Sequence, residues 1–228
     1  MKINILTIFP ELYDSFLNSS LISKAIEKDL LEINIIDFRE YSDNKHNKVD
    51  DILYGGGHGM LLMPQPIFDA IEQNKLEDTF TIHMSPRGHK LDSQKVLDFS
   101  KHKEITILAS RYEGVDQRVI DTFVDEEISI GDYILMGGEL PSQVLIESIS
   151  RHISGVIGNE NSQLFDSFSN GLLEEDNYTR PEDFRGLKVP DVLLSGHHKE
   201  IEKWKQENSL QKTKEIRPDF IKELNEKK

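Results

Sequence analysis

Three polar segments stand where short apolar runs end: Ser85-Pro-Arg-Gly-His89, Ser110-Arg-Tyr-Glu-Gly-Val-Asp116 and Ile130-Gly-Asp-Tyr-Ile-Leu-Met-Gly-Gly-Glu-Leu-Pro141. In open α/β sheets ligands bind outside the carboxyl ends of strands, so three such glycine-bearing loops can line one pocket; ordinary turns have the same composition. Gly137-Gly138 precede a helix opened by Pro141 and are expected to present free backbone N–H groups. A fourth segment, Tyr54-GGGHG-Met60, holds four of the 14 glycines. Its backbone can enter left-handed conformations and lie flush against a ligand. It lacks a following Lys-Ser/Thr and the dinucleotide-binding spacing, so a tight structural loop is an equal reading. Asp50-Asp51 just before it can bind metal or be solvated, capping carboxylates. Arg151 suits the C-terminal end of the helix begun at Pro141, and Asp166 reads by itself as an exposed loop acid.

Missing residue types exclude other chemistries. The chain has no cysteine, which removes disulfides, thiolate zinc sites and any thiol nucleophile. None of the eight histidines has the helical pairing of a zinc site, and no Gly-x-Ser-x-Gly elbow occurs, so hydrolase chemistry has no support.

The elements that must position these segments alternate. Ile3 to Phe9 and Leu31 to Ile36 read as strands, and between them Leu12, Phe16, Leu17, Leu21, Ala25 and Ile26 trace one helical face. Phe80 to Met84, Ile105 to Leu108 and Glu127 to Ile130 are further short strands, separated by helical patterns. In the helix opened by Leu140-Pro141, Val144, Leu145, Ile149 and Ile153 share a face. Strands alternating with helices imply a mostly parallel sheet covered on both faces. From Gly155 to Asn177 the chain turns rich in Asn, Ser, Gly and acid and loses periodicity, which reads as a long mobile linker. A short strand at Val192–Leu194 is expected to follow it. Two helices come next: one starting after Ser195, with Ile201 and Trp204 on one side, and one starting at Pro218, with Phe220, Ile221 and Leu224 together.

With 37% hydrophobic and 30% charged residues, the 228-residue chain can bury a real core and is expected to be soluble. No apolar run reaches membrane-spanning length and the start lacks a signal-peptide pattern, so a reducing cytoplasm is expected. The net charge of -14 argues by itself against a nucleic-acid partner. The distribution softens that: residues 196–228 hold nine Lys/Arg against seven Asp/Glu, whereas residues 1–195 hold 18 against 34.

Taken together, these segments closely resemble the bacterial tRNA (guanine-N1)-methyltransferase family, knotted methyltransferases of the SPOUT class. The matching residues are Phe9-Pro-Glu11, Val49-Asp-Asp51 with Tyr54-GGGHGM, Ser85-Pro-Arg-Gly88, Arg111-Tyr-Glu-Gly-Val-Asp116 and Ile128-Ser-Ile-Gly-Asp-Tyr-Ile-Leu135. They continue through Gly137-Gly-Glu-Leu-Pro141, Asp166-Ser-Phe168, Gly171-Leu-Leu173, Tyr178-Thr-Arg-Pro181 and Val192-Leu-Leu-Ser-Gly196. The match runs in order from residue 1 to about 220.

The resemblance implies an α/β fold, a mostly parallel sheet with a deep trefoil knot, followed by a small mainly helical domain. Its expected boundaries are 1–157 for the knotted cofactor-binding domain, 158–176 for a flexible linker and 177–228 for the tRNA-binding domain. It further implies S-adenosylmethionine bound by Ser85, Pro86, Ser110, Tyr112, Glu113, Gly114, Ile130, Gly131, Asp132, Tyr133, Ile134, Leu135, Gly137 and Gly138. An obligate homodimer with shared active sites is expected, with Asp50, Gly59, Ser167, Arg180, Arg185, Lys188, Lys199 and Lys203 meeting tRNA. The implied target is guanosine 37, with Asp166 as general base at N1 and Arg151 stabilising charge on O6. Magnesium is expected to assist, with Glu113 the candidate to influence the ion.

Some positions depart from the family pattern. Ser110 stands where Gly is common, His58 replaces Pro, Met136 replaces Ser, and Glu174-Glu-Asp-Asn177 replaces a Cys-Pro-His segment. Alternative readings are a related methyltransferase acting at another RNA site, a non-catalytic RNA-binding module, and a metabolic α/β enzyme with a nucleotide cofactor.

Overall fold

A computed structural model describes residues 1–158 and 166–226 of the chain. The chain divides into two compact units, Met1–Gly158 and Asn159–Lys228.

In the first unit β1 (Lys2–Thr7) is followed by a 3-10 turn (Pro10–Tyr13) and helices α1 (Asp14–Leu17) and α2 (Ser20–Glu27), then by β2 (Glu32–Asp37). A small antiparallel ladder, β3 (Asp50–Ile52) with β4 (Met60–Leu62), carries the glycine-rich loop at its turn. Next come α3 (Pro64–Gln73), β5 (Phe80–Lys90), α4 (Ser93–Phe99), β6 (Glu104–Ala109), α5 (Gln117–Phe123), β7 (Glu126–Ser129) and α6 (Glu139–Ser150).

The five main strands form one parallel sheet in the order β2-β1-β6-β5-β7. β1 and β6 are Ile- and Thr-rich and buried along almost their whole length, as expected of strands covered on both faces. One face meets α2, α4 and α6 through Ile22, Ala25, Val96, Phe99, Leu145, Ile146 and Ile149. The other meets α3 and α5 through Ile67, Ala70, Ile71, Val119 and Ile120. The result is the expected mostly parallel α/β layering, with two of the polar segments following β6 and β7 and the first, Ser85 to His89, lying within the carboxyl half of β5.

Three local expectations are corrected. β5 does not end at Met84: both Met84 and His89 pair with Ile128, so residues 85–88 bulge out of the ladder between two paired stretches. Helix α6 begins at Glu139, before Pro141, and its buried face is Leu145, Ile146 and Ile149; Val144 is exposed. A 3.6-residue period places 145, 146 and 149 together as readily as 145, 149 and 153, and the packing against β6 and α4 chooses between them.

The second unit has a two-residue hairpin, β8 (Asp183–Phe184) with β9 (Leu187–Lys188), then α7 (Asp191–Leu194), α8 (His198–Ile216) and α9 (Pro218–Glu226). The expected strand at Val192–Leu194 is thus a helical turn, entered through Pro190. An apolar run this short carries no period, so its class is decided by context. The segment read as a mobile linker divides. Residues 159–165 lie outside the described residues, whereas 173–176 lie along α8. There Thr213 Oγ1 accepts from Leu173 N–H (2.9 Å), Ser209 Oγ donates to Leu173 O (2.5 Å), and Asn208 Oδ1 accepts from Asp176 N–H (2.8 Å). Lys205–Glu175 (2.6 Å) and Lys212–Asp176 (2.7 Å) flank them. A polar ladder of this kind holds the segment in place without any apolar period. Among the described residues no helix is long and apolar enough to cross a membrane.

Candidate functional site

The carboxyl ends of β5, β6 and β7 and the start of α6 enclose one pocket. The bulge of β5 supplies Ser85 and Pro86, the turn after β6 supplies Ser110 and Tyr112 to Gly114, and the loop after β7 supplies Ile130, Gly131, Tyr133 to Leu135, Gly137 and Gly138. Of the residues expected to contact a cofactor, only Asp132 does not line it.

The loops are joined by backbone contacts. Gly138 N–H donates to Ser110 O (2.8 Å), and Arg111 and Gly137 form an antiparallel bridge. The Gly138 N–H is therefore committed, which corrects the expectation that both glycines present free donors. Gly138 must be glycine for a steric reason: a Cβ would lie 2.8 Å from Ala109 Cα and 2.9 Å from Ser110 N.

A charged strut braces the same loops. The Glu139 side chain is 1% exposed; its Oε1 accepts from Thr7 Oγ1 (3.1 Å), and its Oε2 lies 2.7 Å from Arg111 Nε. The Arg111 N–H is not directed at that oxygen, but the ion pair holds at this distance because charge attraction needs no such alignment. The Arg111 guanidinium also lies 4.5 Å from the centre of the Phe9 ring. Below it, Tyr13 Oη and Ser142 Oγ are 2.6 Å apart, and burial pushes the Tyr13 phenol well above its ordinary range. Thr7 and Tyr13, on either side of the Phe9-Pro-Glu11 motif, thus tie the turn after β1 to the start of α6, and Phe9 meets Arg111.

The glycine-rich loop reaches this region through β4. Leu62 N–H donates to Gly114 O (3.0 Å), and Glu113 N–H donates to Met60 O (2.9 Å). Gly55, Gly56, Gly57 and Gly59 all have positive φ, and a Cβ on Gly59 would meet Glu113 Oε1 at 2.6 Å. Left-handed backbone and close approach to Glu113 account for the glycine density.

At the pocket floor β5 and β7 contribute His83 and Glu127, and the turn after β6 contributes Ser110; His83 itself lines the pocket. His83 Nδ1 lies 2.9 Å from Glu127 Oε1, and His83 Nε2 lies 2.9 Å from Ser110 Oγ. The hydrogen bond from His83 holds the Glu127 carboxyl below the usual carboxylate range, against its partial burial, with Arg87 adding to the effect. Ser110 therefore turns its hydroxyl to a partner. His83 was missed by sequence reasoning, because a lone histidine inside an apolar strand gives no periodic signal. Met84, Arg87, Arg111, Ile128, Ser129, Met136 and Pro141 also line the pocket.

The remaining expected residues are placed as follows. Arg151 is the exposed C-cap of α6. Asp50 opens β3 and is half-buried, and Gly59 is exposed at the loop end. In the second unit Asp166 is half-buried, and Ser167 Oγ accepts from Glu174 N–H (3.0 Å). Arg180, Arg185, Lys188, Lys199 and Lys203 are all exposed, and among the described residues none of them is in an ion pair. No group of three or more metal-capable side chains is gathered among the described residues.

The family model described as tRNA (Guanine-1)-methyltransferase TrmD matches residues 1–223. A tRNA (guanine-N(1)-)-methyltransferase of Halalkalibacterium halodurans is 49% identical over 224 residues, covering 97% of this chain and 91% of that protein. One from Finegoldia magna is 49% identical over 230 residues, covering 99% of each. One from Bacillus cereus is 47% identical over 226 residues, covering 98% of this chain and 93% of that protein.

Proposed function

The chain belongs to the TrmD family of tRNA (guanine-1)-methyltransferases, and from that premise we propose that it methylates N1 of guanosine 37 in tRNA, in the cytoplasm, with S-adenosylmethionine as donor. The observation that carries the cofactor assignment is the convergence of three strand-end loops on one pocket at the carboxyl edge of the sheet. The lining mixes glycines and serines with Tyr112, Tyr133, Ile130, Ile134 and Leu135, which suits an extended nucleoside-bearing ligand. When bound, S-adenosylmethionine supplies an electrophilic methyl group.

Guanine N1 carries a proton and is a poor nucleophile, so a base must take that proton as the N1–methyl bond forms. We assign this to the carboxylate of Asp166. The electron pair released on deprotonation spreads onto O6, where the Arg151 guanidinium supplies the compensating charge. One such positioned charge is worth about 3–4 kcal/mol of barrier, by analogy with oxyanion donors. Glu113 is the candidate to influence a magnesium ion; it offers one carboxylate, and a single donor does not make an octahedral site.

A homodimer with shared active sites is supported by the apolar surface around the pocket mouth: Ile134 is 79% and Met136 90% exposed, with Leu140 beside them. A trefoil knot in the first unit is supported by the return of the chain after β7 to the end of β6. The exposed cations of the hairpin and α8 support a tRNA-binding role for the second unit as a helical domain.

The test is transfer of labelled methyl from S-adenosylmethionine to two tRNA transcripts differing only in guanosine or adenosine at position 37, with magnesium present. Label should enter the guanosine transcript alone. Asp166→Asn should retain cofactor binding and lose nearly all turnover, and Arg151→Ala should depress the chemical step. Full activity of Asp166→Asn would remove its assignment as base.

A further inference from the structure

We infer that the Ser110 hydroxyl is held as a hydrogen-bond acceptor toward the bound nucleoside by two positioning residues, His83 and Glu127. The inference rests on the pocket taking the adenosyl cofactor proposed above.

The chain of donors and acceptors allows only one arrangement when His83 is neutral. An ionised Glu127 carboxylate can only accept, so His83 Nδ1, 2.9 Å away, must carry the ring proton. His83 Nε2 is then bare and can only accept. Ser110 Oγ, 2.9 Å from Nε2, must point its single proton there. The remaining lone pairs of Oγ are available to the pocket that Ser110 lines. The tautomer is fixed by position: His83 and Glu127 are direct register partners on β5 and β7, and the His83 side chain is 2% exposed. The group that such an acceptor recognises is a donor on the ligand, a ribose hydroxyl or an amino group.

A protonated His83 reverses the arrangement. Both ring nitrogens then donate, Ser110 Oγ accepts from Nε2, and its proton turns toward the ligand, where it meets another donor. Glu127 and Ser110 are the polar partners of the ring. Arg87 lies 3.7 Å from the Glu127 carboxylate, and Arg111 and Glu113 line the pocket beyond Ser110. Asp125, ahead of β7, accepts from Thr81 N–H. On the helices packed against this face, Arg118 pairs with Asp116, Asp121 accepts from Gln117, Asp69 accepts from Gln65, and Glu72 is exposed. The same residue types serve as a hydrolytic triad elsewhere. Here the Gly138 N–H beside Ser110 is donated to the Ser110 carbonyl and is not free for an oxyanion.

The experiment is calorimetric titration of the full chain with S-adenosylhomocysteine at about pH 8 and about pH 5.5, on either side of ordinary histidine titration. Wild type should bind about three- to tenfold more weakly at the lower pH, the worth of one hydrogen bond. Ser110→Ala should lose about the same factor at the higher pH and show little further change on acidification. His83→Gln, which removes the imidazole, should bind with no pH dependence, and thermal melting verifies that both variants are folded. Wild-type-like affinity and pH profile in Ser110→Ala, or a persisting profile in His83→Gln, would overturn the inference alone. Absence of wild-type binding at both pH values would overturn the pocket reading, and the inference with it.

Discussion

Glu139→Ala should be among the most destabilising single changes in the first unit. The carboxylate is 1% exposed and has two partners, Arg111 Nε at 2.7 Å and Thr7 Oγ1 at 3.1 Å. Removing one member of a buried ion pair costs about 3–5 kcal/mol, because the other charge stays in a poorly solvated place. Arg111 keeps 20% of its side chain in solvent and the face of Phe9 at 4.5 Å, which sets the loss at the lower end, about 3 kcal/mol. For a chain of this size that corresponds to about 6–12 °C in melting temperature, at about 2–4 °C per kcal/mol. Glu139→Gln keeps an acceptor for Thr7 and loses the charge, so its drop should be smaller. Thermal unfolding followed by circular dichroism measures both, and titration with S-adenosylhomocysteine should show weakened binding, because the strut joins the loops after β6 and β7. A Glu139→Ala melting temperature within about 2 °C of wild type would refute the claim that this pair braces the pocket.

Other outcomes follow from the same geometry. Gly138→Ala places a Cβ 2.8 Å from Ala109 Cα, so backbone must move; a loss of about 1–3 kcal/mol in a melting experiment, with loss of cofactor binding, is expected. The folded state holds the Glu127 carboxyl below its ordinary range, so its stabilisation is complete above that range and is lost as pH falls through the folded value. The difference in melting temperature between wild type and Glu127→Gln should therefore shrink on acidification from neutral pH. Binding of tRNA, measured by filter retention across a salt series, should weaken as salt rises, and the double variant Lys199→Ala/Lys203→Ala should lower the slope by about two.

Much of this protein was legible in its residues. Short runs at β1, β5 and β6 that are buried almost throughout, with intervening amphipathic stretches, fit a covered parallel sheet, because that arrangement buries both faces of its strands. Glycines 55, 56, 57 and 59 mark a backbone that needs positive φ, and the polar segments after the strands fall at the carboxyl edge where such sheets bind ligands. The family was readable too, because local motifs survive as short strings in order.

Tertiary structure decided what depends on partners far apart in sequence. That Gly138 N–H is used by Ser110, that Glu139 is clamped between Thr7 and Arg111, and that residues 173–176 lie on α8 are facts about pairs separated by 28 to 132 positions. No local pattern encodes them, since a serine or glutamate has the same propensity whether or not a distant donor meets it. His83 is the clearest instance: within its strand it is one polar interruption, and only the register of β6, β5 and β7 sets it between a carboxylate and a hydroxyl. Periodicity reports which face a side chain occupies; what waits on that face is settled by strand order and register.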